Sequence, residues 1–237
     1  ETSGDWALTN VTVRDAGRYG VDAGNADGRW TVENVTVRDA RWDGINARYA
    51  DGRWTVANTT VRNVGSDGVS AGGIDRTWTF RDVTFRNVDT GIDGDDARVD
   101  VAVDGAVFRT VDVGVDVGYR GHWAMEDVVV RNATRAAVTA SGTVESQADV
   151  TLQNATIWDV EYEAIQLWGA RGEWTLRDSR IRNLSSVALD AVDASADLTV
   201  ANVTIAQVGG AGIDARSASG NWTLRRTVVA DTGGVED

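Results

Sequence analysis

Trp30-Thr31-Val32-Glu33-Asn34-Val35-Thr36-Val37-Arg38-Asp39-Ala40 returns 24 residues later as Trp54-Thr55-Val56-Ala57-Asn58-Thr59-Thr60-Val61-Arg62-Asn63-Val64. It returns again as Trp78-Thr79-Phe80-Arg81-Asp82-Val83-Thr84-Phe85-Arg86-Asn87-Val88. The frame begins at Trp6 and runs on through Val101, Trp123, Val150, Trp174, Leu198 and Trp222, with spacings of 24, 24, 24, 23, 22, 27, 24, 24 and 24. A fixed period of this length marks a stack of like units, each covering its neighbour's apolar face.

Inside one repeat three short stretches alternate with period two: Trp30-Thr31-Val32, Val35-Thr36-Val37 and Ile45-Asn46-Ala47. Such alternation puts apolar residues on one side of a strand and polar ones on the other. Val and Thr dominate these stretches, and no apolar stripe follows a 3.6-residue period, so helix is not expected. The link at Asn34 is one residue long, too short to reverse the chain into a hairpin but sufficient for a corner. About seven residues (Arg38 to Gly44) and about six (Arg48 to Arg53) make the other two links. Three strands and three corners in ~24 residues describe one coil of a single-stranded parallel β-helix, an all-β solenoid. Nine full coils and the start of a tenth, stacked at ~4.8 Å, give a rod ~45 Å long. The chain reads as one domain over residues 1–237 and as a segment of a longer protein.

Stacking turns sequence columns into ladders. Trp6, Trp30, Trp54 and Trp78 are expected in one aromatic stack, each pair contributing ~0.5–1.5 kcal/mol beyond area burial. The tight-corner column reads Asn10, Asn34, Asn58, Asp82, Gly105, Asp127, Asn154, Asp178, Asn202, Arg226. An amide both donates and accepts, so stacked Asn can bond from coil to coil. With this ladder the chain resembles the right-handed parallel β-helix superfamily of pectate lyases and polygalacturonases, over nearly its whole length. The resemblance implies a right-handed coil. It says little about activity, because this architecture hosts many functions.

Of 23 basic residues all are Arg; 28 Asp and 8 Glu bring the net charge to -13, with no Cys, no Pro and one His. Disulfides, thiolate metal sites and cysteine nucleophiles are excluded. One histidine, His122, excludes a multi-histidine metal centre. The pI near 4.5 argues against nucleic acid and anionic membrane as main partners, and no apolar run reaches the ~18 residues of a membrane span. The Asp-rich, Lys-free composition resembles that of haloarchaeal proteins. At 1 M salt the Debye length is ~3 Å, which screens acidic neighbours almost at contact.

Two stretches carry candidate chemistry. Thr90-Gly91-Ile92-Asp93-Gly94-Asp95-Asp96 is the densest acidic segment, and Asp116 falls one coil along from Asp93. Clustered hard oxygens suit Ca²⁺, so Asp93, Asp95, Asp96 and Asp116 are the candidate cation ligands. Resemblance to polygalacturonases, whose aspartates sit on this outer strand, makes the same four the candidate catalytic residues. The family's Gly-His-Gly and Arg-x-Lys segments have no counterpart. Arg48 and Arg216 follow the corresponding strand, but the spacing puts neither beside Asp93–Asp96. The second stretch follows a link, Ala140 to Gln147, that is three residues longer than its counterparts. There Trp158, Tyr162 and Trp168 fall at non-core positions with Glu161 and Glu163 between them, a composition suited to sugars: ring faces take C–H groups and acids accept hydroxyls. Trp42 and Tyr49 form a smaller version of it.

The uniform coil length favours a non-catalytic role: a rigid stalk, fibre or adhesin-like module on the outside of a halophile, extracellular or at the cell surface. Its expected partners are a polysaccharide or cell-surface glycan, and neighbouring copies or other chains stacked end to end, with no nucleic acid and no membrane insertion; its cofactor is Ca²⁺ or none. The alternative is a carbohydrate-active enzyme (a polysaccharide lyase, glycoside hydrolase or epimerase) working on uronic-acid polymers.

Overall fold

The computed structural model describes residues 4–74, 76–140 and 147–233. Most of the long link at Ala140–Gln147 lies outside the described residues. The architecture is an all-β parallel solenoid of about nine turns, ~24 residues per turn, and no helix occurs among the described residues. The first strands of successive coils, from Trp6–Thr9 to Trp222–Arg225, form a ten-stranded sheet in sequence order. Second and third strands form a sixteen-stranded sheet, from Thr12–Arg14 and Val21–Asp22 onward. Every pairing is parallel, and the register is the one read from the repeat: Trp30 opposite Trp54, Val37 opposite Val61, Ile45 opposite Val69.

The interior is a single column of apolar layers. Trp54, Trp78, Phe80, Phe85, Phe108, Trp123 and Met125 are fully buried within it. The expected indole stack is present, with ring centroids 5.6 Å apart for Trp6–Trp30, 4.9 Å for Trp30–Trp54 and 4.7 Å for Trp54–Trp78. At the two ends the stack opens: Trp6 and Leu224 are each about half exposed.

The corners rest on left-handed backbone. All ten tight-corner residues have positive φ, from 47° at Asn58 to 68° at Gly105. Asn and Asp tolerate this region better than other side-chain-bearing residues, and Gly has no Cβ to clash. Side-chain bonds between rungs are present too: Asn154 donates to Asp127, and Asn202 Nδ2 to Asp178 Oδ1 at 2.7 Å. A second left-handed column closes the second strand: Asp15, Asp39, Asn63, Asn87, Thr110, Asn132, Asp159, Asn183, Gln207 and Asp231, with φ between 50° and 57°. Here Asn63 Nδ2 donates to Asp39 Oδ1 at 3.1 Å and Asn87 Nδ2 to Asn63 Oδ1 at 3.3 Å.

The second link differs from the expected seven-residue connection in three coils. Thr84–Asp93, Val107–Asp116 and Val129–Thr139 each run from second strand to third as one strand. Each of the first two has one residue fewer than its earlier counterparts, and pairing continues across the bend, with Val88 opposite Val111 and Thr90 opposite Val113; the last, Val129–Thr139, keeps eleven residues and takes up the extra one as a register shift. The third strand then passes very close to the core. A Cβ on Gly44 would stand 2.2 Å from Val61 Cγ1.

Candidate functional site

The outer face of the third strands in coils two to four carries a cluster of buried polar groups. Asp43 and Asp67 occupy equivalent places just before their strands, Ser70 and Asp93 face outward from theirs, and all four are buried. Arg48, which follows its strand in the second coil, reaches over all of them. Its Nη2 donates to Asp93 Oδ2 at 2.9 Å, its Nε to Ser70 Oγ at 2.5 Å, and Asp67 Oδ2 lies 3.9 Å away. The expectation that no arginine lies beside Asp93 is therefore corrected. Arg48 spans two rungs because the intervening position is Ser70, whose side chain leaves the path open and adds an acceptor.

Three carboxylates face one guanidinium, so the charges do not balance, and the pKa values follow. Asp67 is pushed up to about 7, first by burial and then by Asp93 and Asp43, with Arg48 and the Thr90 N–H acting against the rise. Burial also raises Asp43, against hydrogen bonds from the Asp67 N–H and Ser66. For Arg48 partial burial works against the charge, but Asp93, Asp43 and Asp67 outweigh it and its pKa rises. Asp67 thus holds an exchangeable proton near neutral pH beside a carboxylate and a fixed cation, the arrangement general acid–base chemistry uses.

The four aspartates expected as a cation site lie where the repeat places them, and Asp93 has an arginine partner. Asp93 pairs with Arg48, and its Oδ1 accepts the Asp95 N–H at 3.1 Å. Asp95 and Asp96 are exposed in the turn that follows, and Asp116 stands opposite Asp93 on the next rung. Among the described residues no three acidic or histidine side chains are grouped to hold a metal ion. Arg216 closes on its own coil, 2.8 Å from Asp214, and its hydrogen bonds hold the Asp214 carboxyl below its usual range.

The aromatic stretch is divided between three surfaces. Trp158 lies on the outer face of Thr156–Val160, with the Arg182 guanidinium 6.0 Å from its ring centre. Glu161 and Tyr162 are exposed at the corner after that strand; Glu163 and Trp168 belong to the third-strand side. Burial, then the charge of Asp190, raises the Glu163 pKa. The rings of Trp158, Tyr162 and Trp168 therefore do not form one platform. Near the N-terminus Trp42 packs edge-on to Tyr19 at 5.2 Å with the Arg18 guanidinium 4.5 Å from its ring centre, while Tyr49 sits apart, over Gly73.

Beside the second left-handed column a groove follows the rod axis. A cavity of about 280 Å³ lined by Asn87, Thr110, Asn132 and Thr134 runs into one of about 380 Å³ lined by Asn132, Thr134, Asp159 and Glu161. Together they extend from Val64 to Ser185, six successive coils, or ~24 Å. Amide, hydroxyl and carboxylate groups line it throughout, and Tyr162 stands next to Glu161 at its far part.

Sequence reasoning missed Asp43 and Asp67, and named Arg48 but set it apart from Asp93. The signal present was the Asp-Gly pair before the third strand, Asp43-Gly44 and Asp67-Gly68, repeated at one frame position in adjacent coils.

A family model described as a right-handed beta helix region matches residues 23–181. No curated protein matches the chain.

Proposed function

This chain belongs to the right-handed β-helix family, and from that premise we propose that it is a non-catalytic surface module that holds an extended glycan along its flank. One observation carries the proposal: the groove from Val64 to Ser185 is continuous across six coils, open along its length, and lined by amides, hydroxyls and carboxylates alternating with apolar residues such as Val88 and Val160. A polymer lying in it meets a short polar side chain on successive rungs, Asn87, Thr110, Asn132, Asp159 and Asn183, which suits holding a chain and offers no enclosed place to cut it. The composition supports an extracellular setting in an extreme halophile, with net charge -13 and Arg as the only cation. Neighbouring copies stacked end to end are the second proposed partner, and Ca²⁺ stays a proposal to be tested by its addition.

The test is a binding panel of neutral and acidic polysaccharides in molar KCl, with and without Ca²⁺, alongside an assay for new chain ends. Retention of polysaccharide without new ends is the expected result. Absence of binding to every polysaccharide would end this reading.

A second reading, an enzyme acting on uronic-acid polymers, is favoured by Asp67 alone, which is protonatable near pH 7 beside Asp93 and Arg48. New chain ends that vanish in both Asp67→Asn and Asp93→Asn would establish it in place of the first.

A further inference from the structure

The outer face of the second strands carries one residue type in six consecutive coils. Arg14 pairs in register with Arg38, Arg38 with Arg62, Arg62 with Arg86, Arg86 with Arg109 and Arg109 with Arg131. Trp158 takes the next rung and Arg182 the one after. The first six guanidinium groups cover ~24 Å of the rod at ~4.8 Å per rung.

This column is unlike the rest of the surface. The equivalent outer column of the first strands mixes signs, with Glu33, Arg81, Asp104, Glu126 and Arg177. The third-strand column is acidic or neutral. Among the described residues only Arg38 of the ladder is in an ion pair, 2.6 Å from Asp39. The last four of the six arginines have neutral neighbours along their own strands, Thr60, Thr84, Val107 and Val129 before them and Asn63, Asn87, Thr110 and Asn132 after them, and Arg62 feels a carboxylate, Asp39 on the preceding rung. Arg131 Nε is buried without a hydrogen-bond partner. Like charges stacked on adjacent rungs repel, so the ladder is a line of unmatched positive charge on a rod whose net charge is -13.

We infer that this ladder is a docking surface for a linear anionic polysaccharide, lying parallel to the rod axis with its carboxylate or sulfate groups on Arg62, Arg86, Arg109 and Arg131. The inference rests on the glycan-holding reading above and gives it a charge and a face. Charge complementarity names the occupant: guanidinium matches carboxylate and sulfate oxygens with paired N–H donors, contacts that direct hydrogen bonding preserves when salt screens the long-range field. A single-file ladder one residue wide fits one polymer strand, since the columns beside it are of mixed sign on the first-strand side and acidic or neutral on the third-strand side. Trp158 follows the ladder with the Arg182 guanidinium over its ring, so the next rung adds apolar surface beside a further cation. Asn87, Thr110 and Asn132 stand between the ladder and the groove, within reach of hydroxyls of the same chain.

The experiment uses the full chain in KCl at which circular dichroism shows it folded, titrated with dextran sulfate, alginate, uncharged dextran and single-stranded DNA. Dextran sulfate or alginate should bind at least tenfold more tightly than dextran, and which of the two binds better identifies sulfate or carboxylate. Arg86→Gln/Arg109→Gln should weaken that binding at least tenfold with an unchanged melting curve. It should also flatten the dependence of log Kd on log salt, by about 0.7 per arginine removed. Arg216→Gln, on another face, should change neither. Equal binding of dextran and dextran sulfate would overturn the inference and leave the glycan-holding reading standing. Binding of no polysaccharide would remove both. Unchanged affinity in the Arg86/Arg109 variant, or tighter binding of DNA than of either acidic polysaccharide, would overturn the inference.

Discussion

Arg48 Nη2 lies 2.9 Å from Asp93 Oδ2, two coils further along the rod. The bond skips a rung, and the skipped residue, Ser70, is itself bound by Arg48 Nε. Removing the guanidinium leaves Asp43, Asp67 and Asp93 facing one another without a cation. Arg48→Ala is therefore expected to destabilise the fold at pH 8 by about 1–2 kcal/mol, kept small because half of the Arg48 side chain is solvated. Thermal or urea melts in molar KCl measure it. Ser70→Leu, which blocks the path, should reproduce most of the loss with every charge retained.

The same cluster sets a pH dependence. Asp67 has a pKa of about 7 in the folded chain against an ordinary value of 3.8. Between these values the unfolded chain has released the proton that the folded chain keeps. Stability from this group is thus greatest below pH 4, falls as pH rises to 7, and is level above that. Asp43, also raised, adds a slope of the same sign. Asp67→Asn should stabilise the protein by about 2–4 kcal/mol at pH 8 and by much less at pH 4. Melting curves across that range decide it; an unchanged slope in Asp67→Asn would show that the proton is held elsewhere.

Net charge predicts a salt dependence. With -13 over 237 residues, and Asp93 facing Asp116 and Asp190 facing Asp214 on adjacent rungs, low salt leaves repulsion unscreened. The melting temperature should climb as KCl is raised from about 0.1 to 3 M, where the Debye length shrinks from ~10 Å to below 3 Å. A flat curve would remove halophilic adaptation as the reason for this composition.

Thr110 holds a left-handed conformation, φ 54°, that a β-branched residue adopts only under strain. Its neighbours on the column are Asn87 and Asn132. Thr110→Asn should stabilise the fold by about 0.5–1 kcal/mol, and Thr110→Gly should do nearly as well. Destabilisation by both would mean that the threonine methyl packs more favourably than its backbone is strained.

The two end coils expose core residues: Trp6 on the first, Leu224 and Val229 on the last. Their strands have a neighbour on one side only. Residues 1–237 taken alone should associate head to tail in molar KCl, because the outgoing register at Trp222 and Leu224 is the incoming one at Trp6 and Leu8. Light scattering should show mass rising with concentration, and Trp6→Glu with Leu224→Glu should suppress it. A chain that stays monomeric at all concentrations would rule out end-to-end stacking.

The period of Trp6, Trp30, Trp54 and Trp78 was enough by itself to determine the coil, its length, the parallel register and the inward column. In a solenoid the spatial neighbours of residue i are those one repeat away, so a one-dimensional repeat already contains the contact map. The arginine column was written there too, eight residues after each of the first six anchors, but the summed charge of the chain concealed it. Only the tertiary structure decided what depends on lateral position and reach. The second left-handed corner at Asp39, Asn63 and Asn87 had a signal in its recurring Asn and Asp, but the backbone conformation itself appears only in the structure. Fusion of second and third strands does not follow link length, since Val129–Thr139 keeps eleven residues and is fused like the ten-residue Thr84–Asp93. The pairing of Arg48 with Asp93 depends on a long side chain meeting a short one at the rung between, and the raised pKa of Asp67 on burial created by that meeting. Repetition along the axis is legible in a sequence because it is periodic; contacts around the circumference are not, because they join positions that no common spacing relates.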